Sequence, residues 1–288
     1  MSNPTPNITV PVDLWNPGQF FACCGLLEMA DKLWPRAEGW FEGEMPQCNF
    51  QIAASPGASL CDLLANITLL KFYGDDVGGK EDNKDEEEEG EDAASFAPIV
   101  VESPVSFMLD WWSDRSIKTW AGSMKERPIL KAMLRAIDPT NADPLNDAKV
   151  VFDPLSASEF GRRSNKPKKR EPFYFDSRRG SNAHPLDSGF SSDSQSMESN
   201  CFPAVEAICF LGLQRARPAP TGVPNQSRYT VWVNPLPINA IAPVVCGIVE
   251  LRNSLSFRFD NFFRTDQRKH KSYSRATRER SRNVNQDR

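Results

Sequence analysis

Alternating and helical spacing of apolar residues divides the first seventy positions into six predicted elements. Residues 8–14 alternate apolar and polar side chains, as a half-buried strand does. Asn16 suits a helix N-cap and Pro17 the first helical position, so a helix over 17–33 is predicted next. Further elements are predicted as strands 38–43, 48–54 and 68–73 and a helix 57–67. This βαββαβ order is that of the ferredoxin-like arrangement, in which two helices cover one face of an antiparallel sheet.

The remaining apolar pattern predicts a second α+β half over residues 96–265, after a first half over 1–74. Its helices are predicted at 128–137 and 203–217. Its strands are predicted at 98–101, 105–112, 149–152, 172–177, 228–234, 244–251 and 255–263. The sequence therefore predicts an α+β protein that ends in a flexible basic tail over 266–288.

Charge is strongly segregated along the chain. Residues 75–92 hold eleven acidic side chains against two lysines, so 75–95 is predicted to be a disordered acidic loop. Two interpretations of this loop remain open, a solvated insertion and an acidic decoy that competes with phosphates for the basic surface. Since the net charge of the whole chain is −4, the rest of it is net positive.

Basic residues cluster in two segments, each with a balance of +6, at 162–179 and 264–288. The first contains a basic loop over 162–172 and leads into Phe173-Tyr174-Phe175, where alternation predicts an outward-facing Tyr174. Clustered cations and planar side chains together favour nucleic-acid binding. The candidate contact residues are Arg162, Arg163, Lys166, Lys168, Lys169, Arg170, Tyr174, Arg178 and Arg179. The alternative is a solvated basic loop followed by a core strand, and for the tail a solubilising role is as well supported as attachment to RNA or DNA.

Candidate catalytic chemistry is sparse. The chain has two histidines, and it contains neither a GxSxG nucleophile elbow nor a GxxxxGK phosphate loop. No cofactor or metal is expected, and the seven cysteines, which form no CxxC pair, are predicted to be buried small hydrophobes. No apolar run approaches the roughly 20 residues of a membrane span. The N-terminal residues lack the layout of a secretion signal, so a cytoplasmic location is expected.

Two segments carry a family resemblance, Val12 to Leu33, with the run NPGQFFACCGLLEMA, and Phe173 to Ser191, with FYFDSRR and DSGFS. They resemble a CRISPR-associated family of type I-U (I-G) systems, a short variant of the effector-complex large subunit. The resemblance implies a RAMP-like form of the ferredoxin-like fold. It also implies a non-catalytic subunit of a surveillance complex that contacts guide RNA or reads the motif flanking the target in duplex DNA. Base pairing by the guide then supplies the rest of the specificity.

The implied partners are guide RNA, target DNA, other effector-complex subunits and a helicase-nuclease, with no membrane. Asn16, Pro17, Gly18 and Gln19 match the first motif and are expected to fix the turn into the helix. A side-chain amide of Asn16 or Gln19 directed at a base edge is the other reading. Arg178 and Arg179 match the second motif and are the better candidates for nucleic-acid contact.

Two departures from the family are visible, because this chain is much shorter than a typical large subunit and its acidic segment matches no family motif. Two other functions stay open. One is a metal-dependent nuclease or guide-RNA-processing enzyme of the same systems, with His184 as general acid-base. The other is a structural adaptor that touches only protein.

Overall fold

The structure is a computed structural model. It describes residues 4–74, 97–121, 124–153, 169–180, 200–264 and 270–279, without the side chains of residues 179 and 180. The predicted acidic loop over 75–95 and most of the basic loop lie outside the described residues.

Helices and antiparallel strands are mixed along the chain, which confirms the α+β class. The helices are α1 Pro17–Leu33, α2 Leu60–Thr68, α3 Glu126–Ala136, α4 Ser177–Gly180, α5 Pro203–Gly212 and α6 Ile238–Val245. The strands are β1 Ile8–Asp13, β2 Glu38–Glu42, β3 Gln47–Ala53, β4 Lys71–Phe72, β5 Ile99–Ser103, β6 Phe107–Leu109, β7 Ala219–Pro220, β8 Gln226–Val231, β9 Leu236–Pro237, β10 Leu255–Phe263, β11 Lys271–Tyr273 and β12 Thr277–Arg278.

The first sheet has the order β1-β3-β2-β9, with every pair antiparallel. Its register sets Val10 opposite Phe50, and both side chains are buried because alternate residues of each strand face the core. In a ferredoxin-like sheet the strand after the second helix lies beside the first strand. Here that strand, β4, pairs with β5 in a separate sheet of order β4-β5-β6. The ferredoxin-like arrangement is therefore not confirmed.

Helices α1 and α5 form the centre of the molecule and cross with their backbones in contact. A Cβ atom on Gly25 would lie 2.2 Å from the carbonyl oxygen of Ile208, so only glycine fits at this position. Residues 17–30 of α1 are all buried, as is the whole of α5. Because α1 comes from the first predicted half and α5 from the second, the two halves share one core.

That core is contiguous and rich in aromatic rings. Its buried members extend from Ile8 to Ala276. Phe20 stacks on Tyr229 at a centroid distance of 4.4 Å, and Phe173 stacks on Phe210 at 4.8 Å. The cysteine prediction is confirmed for Cys23, Cys24, Cys48, Cys201 and Cys209, which are buried, and is wrong for Cys61, which is exposed.

Two predicted strands are wrong. Residues 172–176 belong to no strand or helix, the φ of Tyr174 is positive, and α4 begins at Ser177. Residues 238–245 form α6, whose buried Ile238, Ile241, Val244 and Val245 have helical spacing, and the chain turns after it. The strand predicted over 149–152 is reduced to isolated bridges from Lys149 to Cys201 and from Phe152 to Lys169.

The predicted flexible tail needs a correction for its described part. Residues 271–273 and 277–278 pair with β10 and extend a sheet of order β11-β10-β8-β7, in which β12 also pairs with β10. Tyr273 is fully buried there and donates its hydroxyl hydrogen to the carbonyl of Ile117 over 2.8 Å. One buried aromatic ring thus fixes a segment whose composition is otherwise polar and basic.

Candidate nucleic-acid interface

Asn16 joins the two segments that carry the sequence motifs. Its side-chain carbonyl accepts hydrogen bonds from the backbone N–H of Gly18 and of Ser177, each over 3.1 Å. Its amide donates to Asp176 Oδ1 over 3.0 Å. Asn16 is therefore both the N-cap of α1 and the anchor of the second segment, and we call this group, with Arg178 and Glu206, the Asn16 junction.

Gly18 and Gln19 complete the contact between the motifs. A Cβ atom on Gly18 would lie 2.5 Å from the carbonyl oxygen of Phe175, so a side chain here would push the segments apart. Gln19 Oε1 accepts from the backbone N–H of Asp13 over 2.6 Å, and its amide donates to the carbonyl of Leu145 over 3.3 Å. The amides of both Asn16 and Gln19 are thus bonded inside the protein in this structure.

Arg178 closes the junction from the solvent side. Its Nε and Nη2 atoms donate to the two carboxylate oxygens of Asp176, at 3.0 Å to Oδ1 and 2.6 Å to Oδ2. Nη1 donates to Asn146 Oδ1 over 2.6 Å, and the guanidinium lies over the ring of Phe202. Asp176 is fully buried whereas 29% of the Arg178 side chain is exposed. The arginine therefore neutralises a buried carboxylate while keeping one edge accessible.

Glu206 is the residue of this junction that the sequence analysis missed. Its fully buried carboxylate accepts the backbone N–H groups of Phe175 and Asp176, each over 3.2 Å. Burial, followed by the negative charge of Glu206, raises the pKa of the neighbouring Cys209 thiol, which stays neutral. The available signal was a single charged residue in the first turn of an otherwise apolar helix.

Tyr174 does not face solvent, so that prediction is wrong. Only 7% of the residue is exposed, and its φ of +70° lies in the left-handed region that side chains of this size seldom adopt. The hydroxyl donates to Glu171, and the guanidinium of Arg264 lies 3.3 Å from the ring centroid. The positive φ turns the ring inward, where the alternation of a regular strand would have turned it out.

The predicted basic residues are divided between described and undescribed parts of the chain. Arg170 forms a bidentate pair with Asp153, with both distances 2.6 Å, and Lys169 lies 3.3 Å from Glu171. The backbone of Arg179 belongs to α4. The remaining candidates lie outside the described residues, namely Arg162, Arg163, Lys166 and Lys168. The described cations of this segment therefore have carboxylate partners within the protein.

A cleft of about 330 Å³ opens beside the junction, between β1 and the turn that connects β2 to β3. Gln19 and Asn146 line its inner wall, and its charged lining groups are the carboxylates of Asp13, Glu42 and Glu44. Asp13 is paired with Arg275 over 3.2 Å, and the carboxylates of Glu42 and Glu44 still give the lining a negative charge that disfavours phosphates. Within the described residues no group of three or more His, Cys, Asp or Glu side chains is placed to hold a metal ion. His184 lies outside them.

No protein-family model, no curated protein and no solved structure matches this chain. Across the described residues, no helix combines the length and the apolar character that crossing a lipid bilayer requires.

Proposed function

We propose that this chain is a non-catalytic, nucleic-acid-binding subunit of a type I-U CRISPR interference complex. The observation that carries the proposal is the bond between Asn16 and Asp176, one residue from each motif segment. Motifs separated by 160 positions in sequence meet in the protein interior, as expected when both belong to one inherited fold. This supports a family relationship in preference to two chance similarities.

The finer fold proposal is a RAMP-like variant of the ferredoxin-like arrangement. Strands β1, β3 and β2 have the neighbour order of the first three strands of that fold, and α1 connects β1 to β2. In this variant β9 extends the sheet beside β2. The strand that would lie beside β1 instead begins the three-stranded sheet.

Charge supports nucleic acid as the ligand. Outside the acidic segment the chain is net positive, and four candidate cations lie between Arg162 and Lys168, just before the anchored residues Lys169 and Arg170. Clustered cations that lie next in sequence to residues anchored in the fold favour contact with backbone phosphates.

The test is equilibrium binding of the full-length chain to labelled single-stranded RNA and duplex DNA over a range of salt concentrations. Replacing Arg162, Arg163, Lys166 and Lys168 by glutamine is expected to weaken binding at least about tenfold. The slope of the logarithm of the binding constant against the logarithm of the salt concentration, the salt slope, should also fall in magnitude by about 3, because four phosphate contacts are lost. The control replaces two exposed cations away from this segment, Lys71 and Arg135, and should bind normally.

The same samples, incubated with and without Mg²⁺ or Mn²⁺, test the enzyme alternative. Binding without cleavage, together with co-purification of guide RNA when the other subunits are co-expressed, is the expected result. Metal-dependent cleavage that His184→Ala abolishes would replace this proposal by the nuclease alternative. Absence of both binding and co-purification would refute it.

A further inference from the structure

The outer face of the five-stranded sheet carries two arginines directly opposite each other. Arg228 of β8 is the cross-strand partner of Arg258 of β10, and both are exposed. Their neighbours along the strands, Tyr229, Phe257 and Phe259, are buried because they point to the opposite face. The strand pattern therefore directs both guanidinium groups to solvent from adjacent strands.

This arrangement is electrostatically unfavourable unless an anion is present, because like charges directly opposite each other destabilise a strand pair. Within the described residues neither arginine forms an ion pair with a carboxylate. The nearest acid along β10 on the same face, Asp260, accepts a hydrogen bond from Gln226 Nε2 over 3.1 Å. By contrast, Arg170, Arg178 and Arg215 each bond a carboxylate at 2.9 Å or less.

Side-chain hydroxyls lie beside the pair on the same face. Thr277 of β12 lies opposite Arg258 and accepts a weak hydrogen bond from its Nε over 3.4 Å. On the next row of the same face, the hydroxyls of Thr230 and Ser256 lie 3.1 Å apart, with Thr230 itself buried. Arg278 lies at the sheet edge opposite Phe257, so it belongs to the other face. The small Ala219 lies opposite Arg228 on β7, so the row is bordered by a short side chain.

From this juxtaposition we propose that the sheet face centred on Arg228 and Arg258 binds successive phosphates of a single-stranded nucleic acid. The inference rests on the proposed nucleic-acid-binding function and specifies a site for it. An extended polyanion is favoured over a single phosphate because two exposed guanidinium groups on adjacent strands offer more than one phosphate contact. The acidic cleft beside the Asn16 junction lacks such charges and is not this site.

The test compares wild type with the double variant Arg228→Gln/Arg258→Gln, using fluorescently labelled RNA and DNA 20-mers of one sequence. The variant is expected to bind at least about fivefold more weakly, with a salt slope reduced by about 1.4, since each single-strand phosphate contact contributes about 0.7. Equal losses for RNA and DNA indicate backbone recognition, and a larger loss for RNA indicates an additional contact to the 2′-hydroxyl. The control replaces Lys71 and Arg135 by glutamine, which removes the same charge elsewhere.

Folding is controlled independently of binding. Arg258→Glu exchanges the like-charge pair for an opposite-charge pair, so its thermal midpoint should equal or exceed that of wild type while binding is lost. If wild type binds and the double variant shows the same affinity and salt slope, this site is refuted and the proposed function stands. If wild type itself binds neither oligonucleotide nor duplex DNA, the proposed function fails first.

Discussion

Asn16 and Asp176 are 160 positions apart in sequence and bond directly, with 3.0 Å between Asn16 Nδ2 and Asp176 Oδ1. Asn16→Ala removes this donor from a buried carboxylate, removes the N-cap of α1 and leaves the N–H of Ser177 without its acceptor. A lost cap costs about 1 kcal/mol and each unsatisfied buried group about 1–3 kcal/mol. We expect a loss of about 3 kcal/mol in the free energy of unfolding, measured by urea denaturation.

Asn16→Asp is the informative companion variant, because it keeps both accepting interactions but sets a second carboxylate against Asp176. Two carboxylates in one buried site raise the pKa of one of them above its unfolded value. Stability is then lost as pH rises through that raised pKa, so this variant should be markedly less stable at pH 7.5 than at pH 5 relative to wild type. Asn16→Ala should show no such difference. Equal pH profiles for the two variants would contradict the observed bond.

Arg178 stabilises the fold by pairing with Asp176, so a binding experiment must separate this effect from contact with nucleic acid. Arg178→Gln leaves buried Asp176 without its cation, which costs about 2–3 kcal/mol, a value reduced from that of a fully buried pair because 29% of the arginine side chain is exposed. The double variant Arg178→Gln/Asp176→Asn should recover at least about 1 kcal/mol of this loss. A double-mutant cycle by urea denaturation measures the coupling.

The stability and the RNA binding of the double variant Arg178→Gln/Asp176→Asn together test whether Arg178 contacts nucleic acid. If the double variant is stable and binds RNA as wild type does, Arg178 serves the fold alone. If it is stable and binds more weakly, the exposed edge of the guanidinium contacts the ligand. Charge reversal at Arg178 is uninformative, since a carboxylate placed beside Asp176 is expected to unfold the junction.

The elements of the first fifty residues were predictable because each pattern there is local. Strand β1 follows its alternation, and Asn16 and Pro17 start α1 where their capping chemistry predicts. The strand predicted over 172–177 is wrong because the buried carboxylate of Glu206 accepts the N–H groups of Phe175 and Asp176. The carbonyl of Tyr174 accepts the N–H of Tyr273 in β11 over 3.2 Å, but no regular ladder forms. Contacts that are distant in sequence explain that segment, and no local pattern encodes them.

Helix α6 shows a different failure, because its last two residues were predicted to begin a strand over 244–251. Pro243 lies within α6, yet the apolar spacing of the helix still buries Ile238 and Val245. In the candidate site, the sequence indicated the importance of Asn16 and Arg178, but not that Asp176 bonds both of them or that Glu206 holds the backbone of Asp176. The Arg228 and Arg258 pair was equally invisible, since it depends on the register between β8 and β10.

Cysteine labelling provides a direct check on burial. Cys61 is exposed, whereas burial raises the pKa of Cys24 well above its ordinary value and that of Cys48 to about 12. Because the thiolate is the reactive form, native protein treated with iodoacetamide at pH 8 should be modified rapidly at Cys61 and not at Cys24 or Cys48. Mass spectrometry of peptides locates the labels, and urea-unfolded protein, in which all sites react, is the control. Rapid native labelling of Cys24 would show that α1 is not buried.

Gly212 tests the crossing of α1 and α5, on which the position of Glu206 depends. A Cβ atom at Gly212 would lie 2.1 Å from the carbonyl oxygen of Phe21 and 2.7 Å from the backbone nitrogen of Gly25, so Gly212→Ala must force the helices apart. Since no flexible side chain is available to yield, the cost should reach the upper end of overpacking, about 3 kcal/mol.

Gly57→Ala is the matched control, because nothing lies within 4 Å of its Cβ position and its cost is the left-handed backbone alone, about 1–2 kcal/mol. In urea denaturation, Gly212→Ala should have a clearly lower free energy of unfolding than Gly57→Ala. Amide hydrogen exchange at Phe175 and Asp176 should accelerate only in Gly212→Ala, because the displaced Glu206 no longer accepts their N–H groups. Equal stability of the two variants would mean that the helix backbones are not in contact.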